Sequence, residues 1–232
     1  SVWRRKEASR VDLLEGYGEG GWWVQDFAAS LPARLLGDVK GARVLDLCAA
    51  PGGKTLQLAA MGAQVTAVER EPARMARLRE NLLRAKLEAE LIEADLRDLD
   101  TAPMPFVLLD APCSATGTIR RHPELPWIKS ASDVQMTAQM AGELLDRAAS
   151  LTAPGGRLIF AVCSLEPEEG SEQVADFLAR DESFERKPIA PDEIFGLAEL
   201  IDAHGDLRTL PCHLAERGGM DGFYAARLVR ER

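Results

Sequence analysis

The chain has 232 residues, and its 28 Lys and Arg against 37 Asp and Glu give a formal net charge of −9. Hydrophobic residues make up 46% and charged residues 28%, which is typical of a folded globular protein and not of a disordered or fibrous one. The length suits one large α/β domain, and two full domains would be cramped. No apolar run approaches the roughly 20 residues that a membrane span needs.

The cysteine content and the first residues predict where the protein works. Four cysteines are too few for a disulfide scaffold, and we expect free intracellular thiols. The basic start Ser1–Lys6 lacks the apolar stretch of a signal peptide. We therefore expect a cytoplasmic protein and a monomer. The first residue is Ser and not Met, so the sequence can be a piece of a longer chain.

Apolar runs alternate with amphipathic stretches from about residue 43 onward. The predicted strands are Arg43–Cys48, Gln64–Glu69, Ala89–Asp95, Phe106–Ala111, Arg157–Cys163, Phe184–Ile189 and Gly222–Val229. The predicted helices are Val24–Leu36, Lys54–Met61, Pro72–Lys86, Asp133–Leu151 and Pro167–Ala179. This alternation predicts a doubly wound, mostly parallel seven-stranded sheet over residues 41–232, with ligands at the carboxyl ends of the strands. Residues 1–40 are predicted to form a small N-terminal extension that packs on this domain.

A turn of small residues follows the first predicted strand. It reads Cys48, Ala49, Ala50, Pro51, Gly52, Gly53 and Lys54, and it leads into a helix. Such a turn lets a ligand approach the backbone and the helix N-terminus closely. A P-loop would need glycine at Cys48, and a dinucleotide fingerprint would need spaced glycines where only Gly52-Gly53 occurs. The turn is therefore expected to bind a nucleoside without a pyrophosphate cradle.

Acidic residues end the next two predicted strands. Glu69 ends the second strand, where an acid can accept hydrogen bonds from both ribose hydroxyls. Asp95 ends the third strand and could accept from an adenine amino group. Either acid alone would be explained as the cap of the following turn, but two of them beside the glycine turn favour ligand binding. Ribose and adenine contacts without a phosphate clamp fit S-adenosylmethionine.

Two Cys-Ser steps close the fourth and fifth predicted strands. Cys113 and Cys163 should lie on the same rim, because these strands are neighbours in a doubly wound sheet. A lone cysteine at a strand end usually packs as a small buried hydrophobic residue, whereas two Cys-Ser pairs at neighbouring strand ends favour a chemical role. A thiolate that adds to carbon 6 of a pyrimidine makes carbon 5 able to accept a methyl group. A carboxyl group such as that of Asp110 can support charge or proton changes during the addition.

These segments together resemble a known family. Leu45–Thr55, Asp110–Gly117 and Cys163–Glu169 are similar to the RNA cytosine-C5 methyltransferases of the Sun/Fmu/nucleolar-protein type, and Met220–Ala226 resembles that family's closing strand. The resemblance runs from about Tyr17 to the C-terminus. It implies a class I methyltransferase fold that uses S-adenosylmethionine.

The resemblance also implies roles for individual residues. Cys48–Lys54, Glu69, Asp95 and Asp110 would bind the cofactor. Cys163 would attack carbon 6, and Cys113 would assist release of the methylated RNA. Arg74, near the start of the third predicted helix, is predicted to line the cofactor site.

Three residues depart from the family pattern. Val162 replaces the usual threonine before the nucleophile, Glu69 replaces a common aspartate, and Gly170 stands where asparagine is frequent. The first departure could change the orientation of Cys163. The residues alone leave the reverse order of cysteine roles open, because Pro112-Cys113 resembles the nucleophile setting of DNA cytosine methyltransferases.

Contacts to RNA are predicted in the long segment after Cys113. Arg120, Arg121 and His122 could hold phosphates, and Trp127 is expected to pack in preference to stacking on a base. Bacterial members of the ribosomal-RNA type usually carry an N-terminal RNA-binding domain, so these residues alone should bind RNA weakly. Residues 166–193 hold ten acids and three bases, a net charge of −7, which leaves −2 for the rest and permits a local basic groove.

The expected function is methylation of RNA, with ribosomal RNA favoured over transfer RNA. The motifs do not separate these two substrates. A non-catalytic ribosome-assembly factor that keeps the fold would predict loss of one catalytic cysteine, and both are present. His204 and His213 lack metal-ligand spacing, so no metal is predicted.

Overall fold

The computed structural model describes residues 10–231, and the basic stretch Ser1–Lys6 lies outside them. The strands are β1 Arg43–Leu47, β2 Gln64–Glu69, β3 Glu90–Glu93, β4 Met104–Asp110, β5 Thr152–Val162, β6 Phe184–Arg186, β7 Leu207–Thr209 and β8 Phe223–Arg230. The helices are α1 Phe27–Arg34, α2 Gly53–Ala60, α3 Pro72–Ala85, α4 Leu125–Ile128, α5 Ala131–Ser150 and α6 Ser171–Arg180.

The strands form one sheet in the order β3-β2-β1-β4-β5-β8-β6, and β7 also pairs with β8. Strands β1 to β5 pair in parallel, and β8 runs antiparallel to β5, β6 and β7. The predicted fold class is confirmed. The sheet has eight strands and not the predicted seven, because β7 is a three-residue pairing on the outer edge of β8, too short to show a period of its own.

The core lies on both faces of the sheet. One cluster contains Leu31 of α1, Leu56 of α2 and Leu78 of α3, and the other contains Leu145 of α5 and Phe177 of α6. Strands covered on both faces need apolar side chains on both, which explains their continuous apolar runs. Within the described residues, α1 shares the first core cluster. The division of the chain at residue 40 stays a prediction.

The parallel register brings several strand ends to one edge of the sheet. Leu47 pairs with both Val68 and Leu109, and Asp110 pairs with Ala161. The segments that follow β1, β2, β4 and β5 therefore emerge side by side. This edge is where ligands bind in open α/β sheets.

Candidate active site

The turn after β1 has the backbone form that its small residues predict. Gly52 has φ of 105° and precedes α2 directly, and a Cβ at this position would overlap Leu78 of α3. Both facts require glycine. The N–H of Ala49 donates to the carbonyl oxygen of Val68 at 3.0 Å, which ties the turn to the end of β2.

A cavity of about 300 Å³ opens beside this turn. Its lining includes seven of the predicted site residues. These are Cys48, Glu69, Arg74, Asp95, Asp110, Cys113 and Cys163. The residues 49–54 of the predicted cofactor turn are not among its lining residues, so the cavity unites Cys48, the acidic residues, Arg74 and the two cysteines but not the rest of that turn.

Glu69 presents a buried carboxylate to the cavity. Its side chain is 3% exposed, and Oε1 accepts from the N–H of Glu71 at 3.0 Å, so it does cap the following turn. Oε2 has no hydrogen-bond partner and lies 3.5 Å from Nη1 of Arg74. A buried acceptor without a donor is energetically costly, so Oε2 is suited to accept a hydrogen bond from a bound ligand.

Asp95 lies two residues beyond β3 and caps the next turn. Its Oδ1 accepts from the N–H and from Nε of Arg97, and its Oδ2 accepts from Nη2 of Arg97 at 2.7 Å. The Arg97 guanidinium holds the pKa of this carboxyl well below its usual range, with a smaller contribution from Arg70. Both oxygens of Asp95 are engaged, unlike those of Glu69.

The two predicted cysteines meet. The sulfur atoms of Cys113 and Cys163 lie 3.5 Å apart, which is within hydrogen-bonding distance for thiols. The hydrogen bond from Cys113 and the nearby Lys54 ammonium lower the pKa of Cys163, against the opposing effects of burial and Asp110. The same hydrogen bond and burial raise the pKa of Cys113. The pair therefore favours a thiolate at Cys163, and the thiolate is the reactive form of cysteine.

Lys54 forms an ion pair with Asp110, which lines this cavity. Lys54 is buried, its Nζ lies 2.7 Å from Oδ2 of Asp110, and it also lies over the ring of Phe223. Burial and the charges of Glu69 and Asp110 raise the pKa of Cys48 to about 12. Cys48 therefore stays a thiol at neutral pH, whereas the pKa of Cys163 is shifted in the opposite direction.

Sequence reasoning missed the residue that links the cysteine loops. Glu169 is fully buried and accepts hydrogen bonds from Ser114, Ser164 and Thr137. Its position follows from the one-turn 3-10 helix Pro167–Glu169, after which Gly170 packs against Tyr224. The sequence signal is Pro167-Glu168-Glu169, which begins four residues after Cys163 and belongs to the segment that resembles the family, but the resemblance assigns no role to Glu169.

The predicted RNA-binding arginines are engaged within the protein. Arg120 bonds to both Asp26 and Asp221, and Nε of Arg121 bonds to Asp221 at 2.8 Å. Arg121 and His122 keep about half of their side-chain surface exposed. Neither carboxylate was predicted as a partner. The expectation that Trp127 packs is wrong, because its side chain lies on the short helix α4 and is 88% exposed.

The fold and the shared cavity together define a class I methyltransferase. A family model described as 16S rRNA methyltransferase RsmB/F matches residues 33–229, and this chain belongs to that family. Ribosomal RNA small subunit methyltransferase B of Pseudomonas putida is 45% identical over 231 residues, which cover 97% of this chain and 51% of that protein. The chain spans about half the length of the curated relatives it matches.

Solved structures agree on the fold. The crystal structure of PH0851 superposes with a TM-score of 0.85 at 31% identity, covering 98% of this chain and 51% of that one. The crystal structure of NSun6 from Pyrococcus horikoshii with SFG has a TM-score of 0.83 at 22% identity, covering 97% of this chain and 57% of that one. The second likeness concerns the fold alone.

Between residues 10 and 231, no helix is both long enough and apolar enough to cross a membrane. Over the same residues, no cluster of three or more His, Cys, Asp or Glu side chains could hold a metal ion. The prediction that the protein uses no metal stays a prediction.

Proposed function

We propose that this chain carries the catalytic part of an RNA cytosine-C5 methyltransferase that acts on ribosomal RNA through a covalent bond between Cys163 and carbon 6. One observation carries the proposal. The sulfurs of Cys113 and Cys163 lie 3.5 Å apart on the wall of the cavity that also holds the unpartnered oxygen of Glu69. The two thiols and a carboxylate oxygen that could accept from a nucleoside therefore line the same cavity.

S-adenosylmethionine is the cofactor, and it supplies an electrophilic methyl group when bound. The turn Cys48–Lys54 and the Glu69 carboxylate would hold it, with Oε2 accepting from ribose hydroxyls. Arg74 would keep that edge in place, since its Nη2 donates to the carbonyl oxygen of Ala50 at 2.5 Å and its Nη1 lies beside Glu69. Asp95 would contribute as a carboxylate already fixed by Arg97.

Cys163 would act as the nucleophile. Its thiolate would form a bond from Sγ to carbon 6, and the electrons of the C5–C6 double bond would move to carbon 5, which takes the methyl group as the bond between that methyl and the cofactor sulfur breaks and leaves its electron pair on the sulfur. A base, for which Cys113 is the neighbouring candidate, would then take the proton from carbon 5, the electrons of that C–H bond would restore the C5–C6 double bond, and the bond from Sγ to carbon 6 would break and return the thiolate. The lowered pKa of Cys163 supports this role because it increases the thiolate fraction at neutral pH.

Cys113 and Asp110 would assist at the same ring. Cys113 is adjacent to the nucleophile and would assist release, and its raised pKa is consistent with a thiol that first donates to Cys163. Asp110 lines the same cavity and is held by Lys54, so a carboxylate is at hand for charge or proton changes on the ring.

RNA would approach along the segment after Cys113. Arg121 and His122 keep exposed surface for phosphate contacts, and the exposed indole of Trp127 is suited to stacking on an unpaired base. Asp221 neutralises part of the arginine charge, which supports the expectation of weak binding by these residues alone.

Methyl transfer to defined RNAs tests the proposal. The purified chain would be incubated with radiolabelled S-adenosylmethionine and either 16S ribosomal RNA or bulk transfer RNA, followed by bisulfite sequencing. We expect label in ribosomal RNA and a bisulfite-resistant cytosine, both lost in Cys163→Ala. Label in transfer RNA only would show that transfer RNA, and not ribosomal RNA, is the substrate. Binding of ribosomal RNA without any methylation would favour an assembly factor.

A further inference from the structure

Glu169 occupies a buried position between the two cysteine loops. Its Oε1 accepts from the N–H of Ser114 at 2.6 Å and from the hydroxyl of Thr137. Its Oε2 accepts from the hydroxyl of Ser114 at 2.6 Å and from the hydroxyl of Ser164. A carboxylate that no water reaches thus has four donors, which is enough to offset much of the cost of its burial.

The donors are placed with respect to the cysteines. Ser114 directly follows Cys113, and Ser164 directly follows Cys163, so one carboxylate joins the two loops one residue away from each sulfur. Thr137 lies on α5, the helix that lines the cavity through Met140 and Leu144. Glu169 therefore ties both thiol loops to each other and to a cavity wall.

Neighbouring contacts join the same two loops through the backbone. The N–H of Gly117 donates to the carbonyl oxygen of Cys163 at 3.1 Å, and the N–H of Leu165 donates to Oγ1 of Thr116 at 2.9 Å. The first of these bonds fixes the backbone carbonyl of Cys163, and the second fixes the loop two residues further on. The bonds to Glu169 fix the residues beside the sulfur atoms.

We propose that Glu169 is a positioning residue that holds Cys113 and Cys163 at the separation in which one thiol donates to the other. The importance of this positioning for catalysis rests on the proposed function, but the effect of Glu169 on the thiol pair can be tested without RNA. An apolar residue would fill this space at less cost in desolvation, and it would accept none of the four hydrogen bonds.

Replacement of the carboxylate by an amide should loosen the pair. In Glu169→Gln one acceptor oxygen becomes an NH₂ group that faces serine hydroxyls, so these hydroxyls must turn and the loops lose a shared acceptor. Cys163 would then lose alignment with its donor Cys113. Lys54 and Asp110, charged groups that influence Cys163, would remain unchanged. The Glu169 charge raises the pKa of Cys113, so its loss alone would lower a thiol pKa, and a raised midpoint would therefore report the lost alignment.

Alkylation of the free enzyme measures this directly. The rate of iodoacetamide reaction at Cys163 would be followed by peptide mass spectrometry from pH 5 to pH 10, because only the thiolate displaces iodide. Relative to wild type, we expect the midpoint in Glu169→Gln to rise by about one pH unit, a loss of roughly tenfold in rate at neutral pH. The matched control is Glu168→Gln on the same turn, whose side chain is exposed and whose midpoint should not move.

Smaller variants keep the test valid if Glu169→Gln does not fold. Ser164→Ala removes a donor attached to the nucleophile loop, and Thr137→Val removes a donor attached only to α5. Ser164→Ala should shift the midpoint more than Thr137→Val. Equal shifts in these two variants, or an unchanged midpoint in folded Glu169→Gln, would overturn the positioning role. A shifted midpoint in an enzyme whose wild type methylates no RNA would instead reject only the proposed function.

Discussion

Glu69 and Glu169 are both buried at the carboxyl edge of the sheet, yet their surroundings differ in kind. Glu69 lines the cavity and keeps one oxygen without a hydrogen-bond donor. Glu169 is fully enclosed and accepts four hydrogen bonds from within the protein. An unsatisfied buried acceptor costs about 1–3 kcal/mol, so a fold retains one only where something else compensates.

On the proposed function, this contrast corresponds to two tasks at one site. The Oε2 atom of Glu69 lies 3.5 Å from Arg74 but has no hydrogen-bond donor, which fits the proposed role in cofactor binding. Glu169 is complete, as expected of a group that fixes the positions of others. Four buried side-chain atoms lack a partner among the described residues, and only the Glu69 oxygen belongs to a residue that lines the cavity. The other three belong to Asp46, Arg186 and Asp206.

The largest expected difference between the two glutamates is in stability. Glu169→Ala should lower the free energy of unfolding by about 3 kcal/mol, because the Ser114 N–H loses its acceptor and three hydroxyls must find others. Glu69→Ala should lower it by only about 1 kcal/mol, because one hydrogen bond, from the Glu71 N–H to Oε1, is lost and Oε2 has no hydrogen-bond donor. Urea unfolding of both variants checks this, and equal losses would remove the distinction.

The second difference is in cofactor binding. Glu69→Ala should weaken S-adenosylhomocysteine binding by about 2 kcal/mol, because ribose hydroxyls would be left unpaired. Glu169→Gln should bind the same ligand within about 0.5 kcal/mol of wild type, since Glu169 does not line the cavity. Calorimetry on the three proteins measures both values. Unchanged affinity in Glu69→Ala would exclude Glu69 from the site.

The smallest effect is expected at an exposed charge. Arg121 already bonds to Asp221, so Arg121→Gln should reduce RNA affinity by less than about 1 kcal/mol and change the salt dependence only slightly. Filter binding across a salt series checks this, with Lys86→Gln on the far end of α3 as the control. A steep loss in Arg121→Gln alone would show that the arginine leaves Asp221 to hold phosphate.

The sequence was sufficient for the fold class and for the convergence of Glu69, Cys113 and Cys163, because parallel strands bring their carboxyl ends to one edge. It was insufficient for contacts between distant segments. Asp221 lies 100 residues from Arg121, and Glu169 lies 55 residues from Ser114. No local period or motif encodes such pairs, since they depend on how loops meet after the sheet has formed.

The exposure of Trp127 and the existence of strand β7 also depend on contacts between distant segments, which the local sequence does not reveal. Trp127 was expected to pack because aromatic residues usually do, yet it lies on a four-residue helix that offers little surface to cover it. The strand β7 was missed although it carries Arg208, which donates to the carbonyl oxygen of Ser164 at 3.0 Å. The strand β7 has only three residues, and its extended backbone is held by pairing with residues of β8 that are distant in the sequence.

The central claim is that Cys163 and Cys113 act in sequence on one cytosine, and denaturing gels test it most directly. Wild type, Cys163→Ala and Cys113→Ala would be incubated with S-adenosylmethionine and 16S ribosomal RNA. The account predicts no adduct and no methylation with Cys163→Ala, and an accumulating protein–RNA adduct with Cys113→Ala because release is stalled. An adduct trapped by Cys163→Ala but not by Cys113→Ala would exchange the roles, and methylation unaffected by either substitution would contradict the covalent mechanism.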